Sequence, residues 1–202
     1  MRNSVLLFVT ISMLVSAGCS SRQTSEIDAA KLAAFAPLPD AAPAQAGAPT
    51  EAQISLGRML FYETRLSKNQ KISCNSCHDL ARYGVDGEAT SEGHKGQRGD
   101  RNAPTVYNAA MHFAQFWDGR APDVEAQALG PVLNPVEMGI KDGPAVVVVI
   151  KSIPGYVDAF GKAFPGEKDP VTFENFGRAI AAFERGLTTP SRWDPHQSRR
   201  FR

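Results

Sequence analysis

The chain has 202 residues, 43% of them hydrophobic and 21% charged, the balance of a globular protein with a core rather than of a disordered or fibrous one. Lysine plus arginine number 22 against 21 aspartates plus glutamates, so no strong field points to an anionic membrane surface, and no nucleic-acid partner is expected. The three cysteines, Cys19, Cys74 and Cys77, cannot pair off completely; this excludes a disulfide framework and leaves each to be explained on its own.

Met1 and Arg2 give a basic start, Val5 to Val15 is a mostly apolar stretch, and Ser16-Ala17-Gly18 places small residues before Cys19. The apolar run is shorter than the roughly 20 residues a bilayer span needs. Its layout is that of a secretory signal. Gly18-Cys19 resembles a bacterial lipoprotein cleavage site, where the cysteine takes a lipid and becomes the new N-terminus. Ser16 stands where a branched aliphatic is usual, so a plain signal peptide is the alternative. Residues 1–19 are expected to export the protein to the periplasm, with a lipid anchor at Cys19.

Residues 20–49 are rich in Ala and Pro, with Pro37, Pro39, Pro43 and Pro49 spaced through them, and read as a linker with a short docked piece near Leu32 to Leu38. From Thr50 the pattern changes: Ile54, Leu56, Leu60 and Phe61 recur near helical spacing, and a helix is predicted over 51–62. A short helix is expected around 74–80. Gly84, Gly87, Gly93, Gly96 and Gly99 then break regular structure and predict a long loop from Arg82 to Gly99. Asp123 to Leu133 reads as a further helix. The four valines within Ala145 to Ile150 favour a strand by propensity, but no partner strand is evident, so a helical setting is expected to prevail. The last helix is the clearest. Phe173, Phe176, Ile180, Phe183 and Leu187 repeat at three and four residues, Thr172 suits the N-cap, and Pro190 bars extension. The fold class is all-α, with one domain over 50–190. Residues 191–202 form a basic tail without periodicity, for which a disordered end is a simpler reading than a partner-binding patch.

Cys74-Asn75-Ser76-Cys77-His78 is the C-x-x-C-H signature of covalent haem attachment. Two thiols three residues apart on one turn can reach the two vinyl groups on one edge of a porphyrin, and the adjacent imidazole can then ligate the iron. A zinc site would need a second Cys/His pair, which the sequence lacks. A redox dithiol would not need His78 and would sit in a βαβ setting. One haem c is therefore expected, held by Cys74, Cys77 and His78. A small electron carrier of this type would finish with a methionine ligand, for which Met111 and Met138 are the candidates; neither sits in an obvious ligand loop.

Beyond the motif lie Gly93-His94, Arg101-Asn102-Ala103-Pro104-Thr105, Phe116-Trp117-Asp118-Gly119-Arg120-Ala121, Gln127, Asn134-Pro135-Val136-Glu137-Met138-Gly139 and the run Ala179 to Arg185. In combination this ordered series resembles the bacterial di-haem cytochrome c peroxidase family, from about Ala52 to Trp193, and matches that family's N-terminal, peroxidatic half. The resemblance implies a cytochrome c-like haem domain with long loops. His78 would be the proximal iron ligand, and His94 would occupy the other face of the haem in the resting enzyme and leave before peroxide binds. Asn102 would ligate a calcium ion between two haem domains, and Trp117 would stand between the haems for electron transfer. Glu137 would carry acid–base chemistry, with Gln127 as its polar partner.

The implied reaction is reduction of hydrogen peroxide to water with electrons from a small donor protein, a cytochrome c or a cupredoxin. A homodimer is the further partner expectation. The family's second C-x-x-C-H half is expected to be absent from the chain, the resemblance giving way near Asp194 to the arginine-rich tail. The alternative is a mono-haem electron-transfer protein, or a degenerate peroxidase with both axial positions filled.

Overall fold

The computed structural model of the chain describes residues 28–32, 36–44, 47–192 and 194. The predicted signal over 1–19 and the tail beyond Asp194 lie outside them. The chain divides into two units, residues 1–36 and 37–202. In the first, the described element is a single-turn helix, α1 (Ala29–Leu32).

The second unit is built from α2 (Glu51–Phe61), α3 (Cys74–Cys77), α4 (Val124–Leu133), α5 (Gly143–Ser152), α6 (Tyr156–Ala163) and α7 (Phe173–Glu184). Among the described residues there is no β-strand, only two isolated bridges, so the all-α reading holds. Each long helix begins on a side chain that satisfies free backbone donors. Thr50 Oγ1 accepts from Gln53 N at 3.3 Å while Gln53 Oε1 accepts from Thr50 N at 2.9 Å, a reciprocal capping box. Asp123, Asp142 and Thr172 cap α4, α5 and α7 in the same way.

The valine run is helical. Asp142 caps its start, Pro144 suits the first turn, and Val146 and Ile150 are buried on one face while Val148 is left outside. Packing has overridden the strand preference of the β-branched residues. One helix was not predicted: α6 follows Pro154-Gly155 and buries Tyr156, Phe160 and Ala163. Tyr156 OH donates to Glu63 Oε2 at 3.2 Å, tying α6 to the 3-10 turn Thr64–Leu66.

α7 is the organising helix, packed against both α2 and α4. The α2–α7 crossing is close because Gly57 has no side chain: a Cβ there would fall 1.8 Å from the carbonyl oxygen of Ala179. Gly57→Ala must push two helix backbones apart, and we expect a loss of about 1–3 kcal/mol. Thermal unfolding checks this, each kcal/mol moving the midpoint by roughly 2–4 °C for a chain of this size. An unchanged midpoint would mean that the crossing is looser than the structure shows.

Residues 40–43 differ from the predicted linker. Ala42 is 3% exposed and donates its N–H to Arg185 O at 2.8 Å. Thr188 Oγ1 donates to Asp40 O at 2.9 Å, and the Arg185 guanidinium donates to Pro43 O. A docked piece lies at 40–43, against the end of α7. The cause is the buried Arg185, which needs carbonyl acceptors that this segment supplies.

Candidate functional site

A cavity of about 430 Å³ opens beside α3, within the size range of cofactor sites. Cys74, Cys77 and His78 line it, together with Glu137, Gln127, Trp117 and Asn102. Cys74, Cys77 and His78 share one turn, whereas the other four come from separate stretches of the chain, which explains why the motifs are scattered in sequence.

α3 is one turn long. Ser76 N donates to Ser73 O at 3.0 Å and His78 N to Cys74 O at 3.0 Å, and Ser73 N donates to Ser76 Oγ at 3.0 Å. The turn puts Cys74 and Cys77 on one face at helical i, i+3 spacing, both as free thiols. Burial pushes the Cys74 thiol up to about 12 and raises Cys77 in the same direction. Neither is a ready nucleophile, and neither suits a dithiol redox site, which needs lowered values.

His78 Nδ1 lies 3.0 Å from Pro104 O. A carbonyl only accepts, so Nδ1 carries the proton and Nε2 keeps its lone pair, the arrangement of a metal-ligating imidazole, on a residue that lines the cavity. Burial lowers the His78 pKa, which favours the neutral form that ligation requires. The Arg-Asn-Ala-Pro-Thr stretch thus supplies the carbonyl that orients the histidine. Thr105 Oγ1, in turn, donates to Tyr83 O at 2.7 Å and fixes the stretch itself. Paired thiols on one turn, an oriented imidazole and a cavity of predominantly apolar wall fit a covalently attached haem.

On the same cavity, α4 ends at Asn134, whose Nδ2 donates to Glu137 Oε1 at 2.8 Å and whose Oδ1 accepts from Val136 N at 3.1 Å. Glu137 is partly buried, and burial raises its pKa, with the Asn134 hydrogen bond opposing. The carboxyl is held in one orientation with its proton affinity increased, as an acid–base group requires. Gln127 presents its side chain from the second turn of α4. Asn134 was part of the quoted motif, but no role was read for it; its contact with Glu137 appears only in three dimensions.

Trp117 is 65% exposed, so it is not a core residue, and its Nε1 donates to Asn102 O at 2.8 Å. Its loop is held by Asp118, which accepts from Arg101 at 2.7 Å and Arg120 at 2.8 Å and whose pKa these two hydrogen bonds hold down at about 2. Asn102 Nδ2 donates to Glu88 O at 2.6 Å, leaving Oδ1 free to accept. Calcium needs six to eight oxygens. Among the described residues no group of three or more His, Cys, Asp or Glu is arranged to hold a metal.

His94 is not on the cavity wall. Its ring packs against Gly139, where an added Cβ would come within 2.6 Å, and its Nδ1 is buried with no hydrogen-bond partner. The backbone around it is stitched down by His94 N to Glu137 O at 2.8 Å and Asn69 Nδ2 to His94 O at 2.7 Å. Of the two candidate methionines, Met138 is buried and reaches the cavity, whereas Met111 does not.

The family profile for di-haem cytochrome c peroxidase matches residues 51–200, past Asp194, where the sequence comparison expected the likeness to end. Cytochrome c551 peroxidase from Pseudomonas aeruginosa is 45% identical over 181 residues, covering 89% of this chain and 52% of that protein. Cytochrome c551 peroxidase from Nitrosomonas europaea is 50% identical over 149 residues, 73% of this chain and 44% of that one. Among solved structures, a MauG-like protein associated with microbial copper homeostasis superposes with a TM-score of 0.72 at 32% identity, over 81% of this chain and 48% of its own. The chain thus spans about half the length of these relatives. With the profile matched across most of its length, the chain belongs to the di-haem cytochrome c peroxidase family.

Proposed function

We propose that this chain binds one haem c through Cys74, Cys77 and His78 and serves the reduction of hydrogen peroxide to water, with electrons drawn from a small cytochrome c or cupredoxin. The observation that carries the reading is the shared cavity: the haem-attachment turn and a partly buried, oriented Glu137 line one space. The relatives named cytochrome c551 peroxidase support it.

When bound, the haem iron supplies the redox centre at which peroxide is reduced. Two electrons and two protons enter, the O–O bond breaks, and two waters leave. Glu137 takes the proton from one peroxide oxygen and returns it to the departing one, and Gln127 orients the substrate by hydrogen bonding. Asn134 holds the carboxyl in place for both transfers. Trp117, at the mouth of the cavity, lies on the route for incoming electrons.

His94 belongs to the same proposal as the resting-state ligand of the second haem face; its unpartnered Nδ1 supports a role that gives it a partner elsewhere. Asn102 Oδ1 would contribute one ligand to a calcium ion whose other ligands are carbonyls and water. Export to the periplasm, with lipid at Cys19, rests on the N-terminal sequence alone. That no nucleic-acid partner is proposed rests on the balance of 22 basic against 21 acidic residues over the whole sequence. Pairing of two copies is the remaining partner reading.

The test is peroxide consumption by the haem-loaded protein with a reduced small cytochrome as donor. Turnover with two donor molecules oxidised per peroxide is expected. An iron centre that stays low-spin at every redox poise, with no turnover, would favour the mono-haem electron-transfer reading, for which Met138 is the ligand within reach of the cavity.

A further inference from the structure

α7 ends on two charged residues whose side chains have opposite fates. Arg185 is fully engaged: its guanidinium takes both oxygens of Glu125 at 2.7 and 2.8 Å and also donates to the Pro43 carbonyl. Glu184 is 6% exposed, lines the cavity, and makes no side-chain hydrogen bond or ion pair among the described residues. A carboxyl withdrawn from water without a partner is costly, and such groups are rare unless they have a use. Cys74 lines the same cavity, so the carboxyl shares that space with the attachment turn.

We propose that Glu184 is a redox-linked proton site, taking up one proton when the haem tethered at Cys74 gains an electron and releasing it when that electron leaves. The buried site then keeps a constant net charge, with one electron and one proton entering together. The inference rests on haem attachment at this turn but not on peroxide chemistry.

Electrostatics give the direction. Burial, with Glu125 adding to it and Arg185 opposing, raises the Glu184 pKa to about 8. Those two are the charges that act on it; α2 and α5, the other helices against α7, contribute none from Glu51, Arg58 or Lys151. The oxidised haem carries one more positive charge than the reduced one, so oxidation favours the carboxylate and reduction favours the acid. Between the two resulting pKa values, the ferric form gains tenfold over the ferrous form for each pH unit, about 59 mV for a one-electron couple.

The experiment is a spectroelectrochemical titration of the haem-loaded protein across neutral to alkaline pH, with the pyridine haemochrome of each preparation confirming attachment. The native potential should fall with pH by up to tenfold in the redox equilibrium per unit, and Glu184→Gln should flatten that slope to less than twofold. Reduction should also bring up a protonated-carboxyl C=O band in the infrared difference spectrum that Glu184→Gln removes. A native potential independent of pH, or a slope that survives in Glu184→Gln, overturns the proposal. Should Glu184→Gln lose its haem, Glu125→Gln decides. It removes a charge that raises the Glu184 pKa and frees one that lowers it, so the sloping window must move to lower pH, and a window that stays put overturns the proposal. A native preparation without haemochrome refutes attachment itself, an outcome distinct from failure of the linkage.

Discussion

Replacing Glu137 with glutamine is expected to lower the proposed peroxide reduction by about 10²–10⁴-fold while leaving haem content and fold unchanged. Glutamine has the same shape, and its Oε1 can still accept from Asn134 Nδ2 as the carboxylate does at 2.8 Å, so the substitution removes proton transfer and little else. The pH dependence adds a second mark. As a proton acceptor Glu137 must start ionised, and burial holds its pKa above the ordinary carboxylate value of 4.5. The native rate is therefore present at higher pH and is lost as pH falls through that raised value, and Glu137→Gln shows no such limb. Steady-state rates across pH with a reduced donor protein decide it. A variant turning over at the native rate would remove Glu137 from the chemistry.

The second large effect is at the attachment turn. Replacing Cys74 and Cys77 together with alanine abolishes acid-stable haem, because no other cysteine pair exists in the sequence. The loss should also lower stability. A cofactor that binds only the folded chain adds to the folding free energy, and without it a cavity of about 430 Å³ stands unfilled among core residues. Absorbance and thermal unfolding of the variant, compared with the native protein, measure both. Acid-stable haem in the double variant would move the attachment point elsewhere.

Much of this was legible in the sequence, and the reasons differ by element. α7 was read almost to its ends because amphipathic spacing, an N-cap and a following proline all agree at Thr172 to Pro190. The valine run was ambiguous, since propensity and context conflict there; tertiary packing of Val146 and Ile150 settled it as a helix. α6 was missed although Tyr156, Phe160 and Ala163 have helical spacing, because a helix of 8 residues after Pro154-Gly155 gives a weak signal. The buried contacts of residues 40–43 leave no pattern at all in an Ala/Pro-rich segment, as they use backbone groups.

The site divides along the same line. Cys74, Cys77 and His78 are adjacent in sequence, so their chemistry can be read there. Glu137, Gln127, Trp117 and Asn102 were located by resemblance, and the structure brings all four to one cavity with the haem-attachment turn. The hydrogen bonds that orient the site, from His78 Nδ1 to Pro104 O across loops and from Asn134 Nδ2 to Glu137 Oε1 within one motif, have no sequence signature. Glu184 illustrates the limit most clearly. In the sequence it is one of two successive charges at a helix end, and only the fold shows that its neighbour is paired while it faces the cavity alone.

Covalent haem on this polypeptide is tested most directly by the intact mass of the protein, produced from its full sequence in a bacterial host that attaches haem c, before and after extraction with acid acetone. Thioether links through Cys74 and Cys77 predict that one haem stays with each chain through the extraction and gives a c-type pyridine haemochrome. A colourless chain at its bare polypeptide mass, with the iron porphyrin in the organic layer, would contradict it.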